Sequence, residues 1–251
     1  MSALLALRGV TVAFGGLVAV DDVTFDVEEG SITGLIGPNG AGKSTVFNAV
    51  NGVYRPRTGS SLFDGRDIVG MPSQRIARLG IARAHQVVRP LTDLSVLDNV
   101  TVGACFGRDA LGLVAGRRRA AGVLEQLGLA DRASQPAGSL NVAQKKRLEL
   151  ARAVAAGPRL LLADEVLAGL NPHEVEEMLG VFATIRAAGV TILMIEHLMQ
   201  AVMHLSDKVV VLDYGRLIAV GTPAEVQADP AVIEAYLGDP HAAERLLADE
   251  P

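Results

Sequence analysis

Apolar and polar residues alternate along residues 4–14 and again along residues 23–27, the period-two pattern of half-buried strands. Residues 31–37 form a short apolar run that enters a glycine cluster, and residues 44–51 behind it read as a helix. Residues 59–64, followed by Gly65, predict a further strand and turn. The middle of the chain changes period: residues 94–104, 117–127 and 143–156 carry helical spacing and are rich in Ala, Leu, Arg and Glu. Residues 159–163 and 191–195 are continuous apolar runs, as parallel strands buried on both faces require, with an amphipathic helix at 175–188 between them. Residues 209–213 and 217–220 flank a hairpin-like turn at Tyr214-Gly215-Arg216, and residues 223–227 and 231–237 predict short closing helices. The pattern predicts an α/β fold with an early antiparallel β part and a helical insertion at about residues 87–157, and the length fits one large domain or two small ones. No repeat, low-complexity tract or linker interrupts it.

Composition narrows the function classes. With 49% hydrophobic residues the chain has ample apolar surface to offset its conformational entropy, which excludes intrinsic disorder. A net charge of −5 argues against a protein that coats nucleic acid. The basic clusters Arg117–Arg119 and Lys145–Arg147 lack interleaved aromatic residues for base stacking and read as solvated helix faces. The single cysteine, Cys105, excludes an internal disulfide framework and a Cys-rich metal site. No run approaches the ~18 apolar residues of a membrane-spanning helix, since the strongest, residues 190–195, stops at Glu196 and His197. Residues 1–7 lack the basic start of a signal peptide. The expectation is a soluble cytosolic protein, for which any membrane role must come through a partner.

Candidate chemistry begins at Gly37-Pro38-Asn39-Gly40-Ala41-Gly42-Lys43-Ser44-Thr45, which matches the phosphate-binding pattern GxxxxGK[ST] in full. It stands between a buried strand and a helix, as that loop must. Its glycines let successive backbone N–H groups turn inward onto phosphate oxygens, and the helix start adds a partial positive charge. Lys43 is placed to hold the β- and γ-phosphates and Ser44 to ligate Mg²⁺. A phosphate loop needs a second metal-binding carboxylate. The apolar run ending in Asp164-Glu165 supplies one in Asp164, and beside it Glu165 is a candidate general base for an attacking water.

With these motifs the chain resembles the nucleotide-binding subunits of ABC transporters over nearly all its length, and within them most resembles the ATPases of branched-chain amino-acid importers. The resemblance implies a single ABC ATPase domain over residues 1–251, a P-loop NTPase (RecA-like) core with an N-terminal antiparallel β subdomain and an inserted α-helical subdomain. It implies that Phe14 stacks on adenine, the alternative being a strand aromatic packed in the core. Gln86 matches the glutamine that reaches Mg²⁺ or the attacking water and reports to the membrane subunit, whereas neighbouring His85 reads as structural. Asn171, ahead of Pro172, stands at the D-loop where many relatives carry Asp, and His197 matches the switch histidine on the γ-phosphate. His173, His204 and His241 read as surface or packing residues.

The signature departs from the family's LSGGQ. Leu140-Asn141-Val142-Ala143-Gln144 stands in its place, and the following residues 145–153 fit the family helix. In the family this motif caps the ATP of the partner subunit. Asn141 keeps a hydrogen-bonding side chain and is a good N-cap, while the Cβ atoms of Val142 and Ala143 limit the approach of a phosphate. Val166-Leu167 likewise replaces the usual Pro-Thr or Pro-Ser pair, which should alter the loop rather than the chemistry. Softer features, including the segment through Gly221-Thr222-Pro223 and the Tyr236-Leu237-Gly238 ending, carry the importer assignment, and lipopolysaccharide-exporter ATPases share some of them. The resemblance therefore implies an ATP-hydrolysing motor using ATP and Mg²⁺, peripheral on the inner face of the cell membrane. Its implied partners are a second ABC ATPase subunit, identical or different, across two sandwiched ATPs, two membrane permease subunits and, indirectly, a periplasmic or extracellular solute-binding protein, with no nucleic acid. The alternatives are the ATPase of a lipid or lipopolysaccharide exporter and a soluble ABC ATPase outside transport.

Overall fold

The computed structural model describes residues 3–237; Met1, Ser2, Gly238 and His241, on which expectations above partly rest, lie outside them. In chain order the elements are β1 (Ala3–Phe14), β2 (Leu17–Glu28), β3 (Ile32–Ile36), α1 (Lys43–Val50), β4 (Thr58–Phe63), β5 (Arg66–Asp67), α2 (Ser73–Leu79), β6 (Ile81–Ala84), α3 (Val96–Phe106), α4 (Leu113–Gln126), α5 (Val142–Ala155), β7 (Leu160–Asp164), α6 (Pro172–Ala187), β8 (Thr191–Ile195), α7 (Met199–Leu205), β9 (Lys208–Asp213), β10 (Arg216–Gly221), α8 (Pro223–Gln227) and α9 (Pro230–Leu237). The chain divides into two compact units, one of residues up to Ser73 and from Thr191 onward, the other of residues 74–190.

In the first unit β1 pairs antiparallel with β2 on one side and β4 on the other, giving the sheet order β2-β1-β4-β5. Leu5, Leu7, Val10 and Val12 of β1 are buried. A second sheet in this unit is built round β3, which pairs in parallel with both β8 and β9, while β10 returns antiparallel along β9. All five residues of β3 and of β8 are buried, which is why neither segment alternates in sequence. The β9–β10 hairpin turns through Tyr214 and Gly215, both at positive φ, the conformation such tight turns need. Helix α7 was not foreseen. Its seven residues bury Met199, Ala201, Val202 and Leu205, and Met199 and Val202 share one apolar cluster with Ile36, Val209, Val211, Val226, Val232 and Tyr236.

The second unit holds the parallel pair β6 and β7 with α3, α4, α5 and α6. Ser95 caps α3 by accepting from the Asp98 N–H. Buried Asn99 fastens the preceding loop, accepting from the Leu91 N–H and donating to the Leu91 and Ser95 carbonyls. Helices α3 and α5 cross closely: a Cβ on Gly103 would lie 2.1 Å from the Arg152 carbonyl oxygen. The fold is the α/β architecture expected, with an antiparallel sheet and a separate, largely parallel one.

Candidate functional site

The phosphate loop follows β3 directly. Gly37, Gly40 and Gly42 have φ of 147°, 82° and 98°. A Cβ on Gly37 would stand 2.0 Å from the Leu212 carbonyl oxygen, and one on Gly42 2.6 Å from that of Ala19. Neither position accepts a side chain, so the loop wraps as tightly as phosphate contact requires. Helix α1 starts at Lys43 with Gly42 as its N-cap and no side-chain cap, and its first turn carries no acidic residue. A helix start without a side-chain cap or an acidic residue favours an anion there. Lys43 is buried, and its Nζ donates to the Gly37 and Pro38 carbonyls at 2.6 and 2.9 Å, an ammonium held against the loop it serves. Pro38 is half-buried, Asn39 and Gly40 are exposed, Ala41 is buried, Ser44 is exposed and Thr45 is half-buried. This cradle fits a nucleotide phosphate.

Two further candidates lie in the first unit. Phe14 ends β1 with 45% of its surface exposed, edge-on to Tyr54 with centroids 4.9 Å apart at 76°. It is a surface ring rather than a core one. His197 is half-buried just past the end of β8, next to buried Glu196.

The other candidates stand in the second unit. Asp164 ends β7 and pairs with Arg83 of β6, Nη2 to Oδ2 at 2.5 Å, both side chains only 10% exposed. Glu165, at a φ of 46°, turns the chain sharply after the strand. A non-glycine residue keeps this conformation only where its surroundings fix it, and Lys146 Nζ donates to its carbonyl at 3.4 Å. Gln86 Nε2 donates to Glu165 Oε2, so the glutamine and the candidate base are in contact. Val166 and Leu167 are buried, which accounts for apolar residues where relatives carry Pro-Thr or Pro-Ser.

Asn141 caps α5. Its Oδ1 accepts from the Gln144 N–H at 2.8 Å, and Gln144 Oε1 accepts from the Asn141 N–H at 3.1 Å, a complete capping box. Val142 is 60% exposed at the first helical position and Ala143 is buried. Asn171 and Glu174 form the same box at α6, with Pro172 in its first turn.

One expectation is corrected. Lys145–Arg147 is not a solvated face: Lys146 is buried against the Glu165 turn, and Arg147 is half-buried and paired with Glu177 at 2.7 Å. Sequence reasoning also missed Arg83, Glu149 and Arg152. Glu149 is buried, its Oε1 accepting from the His85 N–H at 3.3 Å and its Oε2 from Arg152. Burial pushes its carboxyl up, and the Arg152 guanidinium pulls against that. Only the i, i+3 spacing of Glu149 and Arg152 hinted at the pair.

For Mg²⁺ the candidates are all oxygen donors: the Ser44 hydroxyl, the Gln86 amide and the Asp164 carboxylate. Among the described residues no group of three or more His, Cys, Asp or Glu could hold a metal by itself. Each candidate is a hard oxygen donor of the kind Mg²⁺ takes, and Mg²⁺ needs only one or two carboxylates because water and substrate phosphates complete its shell.

A family model described as ABC transporter matches residues 20–168, and one described as branched-chain amino acid ATP-binding cassette transporter matches residues 216–242. The chain is 40% identical to the high-affinity branched-chain amino acid transport ATP-binding protein BraF of Pseudomonas aeruginosa, over 94% of this chain and 98% of that one. It is 41% identical, over the same shares, to the corresponding protein LivG of Salmonella typhimurium. The lipopolysaccharide export system ATP-binding protein LptB of Acidithiobacillus ferridurans is 33% identical over 95% of this chain and 98% of its own. Among solved structures, MJ1267, an ATP-binding cassette of an ABC transporter in its ADP conformation, matches with a TM-score of 0.86 at 29% identity, covering 95% of this chain and all of that one.

Proposed function

The chain belongs to the ABC transporter family, and from that premise we propose that it is the motor subunit of an importer of branched-chain amino acids or closely related small solutes. It is an ATP hydrolase of that family. The observation that carries the solute class is the near-full-length 40% identity to BraF, against 33% to the export protein LptB.

In this reading residues 37–45 bind the triphosphate, with Lys43 moving its ammonium from the loop carbonyls to the β- and γ-phosphates. Phe14 gives adenine an exposed aromatic surface, braced edge-on by Tyr54. Ser44, Gln86 and Asp164 would hold Mg²⁺, which supplies charge neutralisation on the phosphates. Glu165 accepts a proton from the attacking water, and Gln86, bonded to one of its oxygens, fixes the carboxylate's orientation. His197 donates to the γ-phosphate. Asn141, Val142, Ala143 and Gln144 present the start of α5 to the nucleotide of a second ATP-binding subunit.

Two permease subunits and an extracytoplasmic solute-binding protein complete the assembly, which places this chain on the cytoplasmic face of the membrane. Among the described residues no helix is long and apolar enough to cross a membrane. The test is ATP-dependent uptake of labelled leucine into vesicles carrying the chain with its operon's permeases, second ATPase and binding protein. Uptake competed by isoleucine and valine supports the reading. A complex that hydrolyses ATP yet moves none of the three removes the solute assignment, and stimulation by a lipopolysaccharide permease instead would favour export.

A further inference from the structure

Lys146, Glu149 and Arg152 recur every three residues along α5 and therefore share one face. Each is tied to one of the two segments that carry Gln86 and Glu165. Lys146 Nζ donates to the Glu165 carbonyl. Glu149 Oε1 accepts from the N–H of His85, the residue before Gln86. Arg152 Nη2 donates to Glu149 Oε2, and its Nη1 donates to the carbonyl of Arg89, three residues after Gln86, at 3.2 Å. Residues 85–87 are exposed and lie in no helix or strand, so the segment has little packing of its own to set where the glutamine points. Arg152 itself rises from a backbone fixed by the close crossing of α3 at Gly103.

We propose that Glu149 and Arg152 are positioning residues for Gln86: they grip the backbone on both sides of it so that its amide stays on Glu165, and they make that placement answer to the start of α5, where Asn141 and Gln144 stand. A shift of α5 on engaging a partner's nucleotide would carry His85 and Arg89 with it. The inference rests on the reading of Gln86 and Glu165 as parts of the hydrolytic machinery. Arg152 Nη2 is bonded to the buried Glu149 carboxylate, so the pair acts as one unit.

Arg152→Lys separates the two bonds: a lysine ammonium still pairs with Glu149 but cannot fork to the Arg89 carbonyl as well. In the assembled transporter this variant should hydrolyse ATP with a kcat lowered about tenfold, the loss of one hydrogen bond that orients a reacting group. Its KM for ATP should stay within about twofold, because the phosphate loop is untouched. A general loss of structure would move both constants. The deciding measurement is the double-mutant cycle with Gln86→Ala. If Arg152 acts through the glutamine, Arg152→Lys should cost nothing further once Gln86 is gone. Wild-type kcat in Arg152→Lys, or an effect undiminished in the Gln86→Ala background, overturns the proposal. If Arg152→Lys does not fold, judged by circular dichroism, Glu149→Gln enters the same cycle with the same outcomes. An impaired Gln86→Ala beside an unimpaired Arg152→Lys defeats this inference alone, whereas normal turnover in Gln86→Ala defeats the reading of the site beneath it.

Discussion

Replacing Asn141-Val142-Ala143 by Ser-Gly-Gly restores the family's signature, and the structure sets what it should do. Asn141 Oδ1 is committed to the Gln144 N–H, and a serine hydroxyl can take over that cap at little cost. Val142 and Ala143 are the first two residues of α5, and glycine costs a helix about 1 kcal/mol against alanine and a few tenths against valine. The triple variant should therefore lose about 1–1.5 kcal/mol and melt about 2–6 °C lower. Against that, removing the exposed branched side chain of Val142 and the Cβ of Ala143 lets a phosphate reach the helix start. One regained hydrogen bond to a charged group contributes about 1.5–3 kcal/mol, equivalent to about tenfold to a hundredfold in rate.

We expect ATP turnover by the assembled complex, assayed well below the melting temperature, to rise within that range. If the chain works beside a different ATPase with an intact signature, the rise would come from the one site completed by this chain's signature, and the two sites of the unmodified heterodimer are unequal. Asn141→Ala serves as the control: it removes the cap, should lower the melting temperature by about 2–4 °C for about 1 kcal/mol, and should not raise turnover. Unchanged or reduced turnover in a folded triple variant refutes the reasoning and makes the native Asn-Val-Ala an equally competent signature whose backbone N–H groups suffice.

Lys43→Ala should sharply weaken ATP binding, measured with a fluorescent nucleotide, because it removes the buried ammonium from the loop. Glu165→Gln should bind ATP normally and fail to turn it over; hydrolysis at the wild-type rate would remove Glu165 as general base. With hydrolysis blocked by Glu165→Gln, ATP and Mg²⁺ should convert a mostly monomeric chain to a dimer in light scattering at high concentration, since nucleotide that bridges two copies stabilises the closed state by its differential affinity. A mass that ignores ATP, both for the chain alone and for its mixture with any second ATPase encoded beside it, would count against nucleotide-bridged association.

Some elements were invisible in the sequence because their pattern was too short or their partners too distant. β6 has four residues, Ile-Ala-Arg-Ala, and becomes a strand only by pairing in parallel with β7, which lies 76 or more positions further on. α2 and α7 have seven residues each, hardly two turns, so a helical period barely has room to appear. β2 starts at Leu17, six residues before its alternation becomes legible, because its exposed first residues are held by the hairpin with β1 rather than by a buried face.

Sequence alone determined the phosphate loop, since the glycines, Lys43 and Ser44 are neighbours and backbone conformation follows from local residue type. It likewise determined the apolar strand that delivers Asp164 and Glu165, and the N-cap at Asn141, whose partner Gln144 is three residues away. What tertiary structure decided is who meets those groups. Arg83 reaches Asp164 across 81 positions, Gln86 reaches Glu165 across 79, and the Glu149 carboxylate reaches the His85 N–H across 64. No periodicity encodes such pairings, because a charged residue on a helix reads the same whether it faces water or a buried loop. Lys146 shows this directly: it belongs to a basic run that reads as solvated and lies buried against the Glu165 turn, because only the packing of α5 fixes which of its faces turns inward.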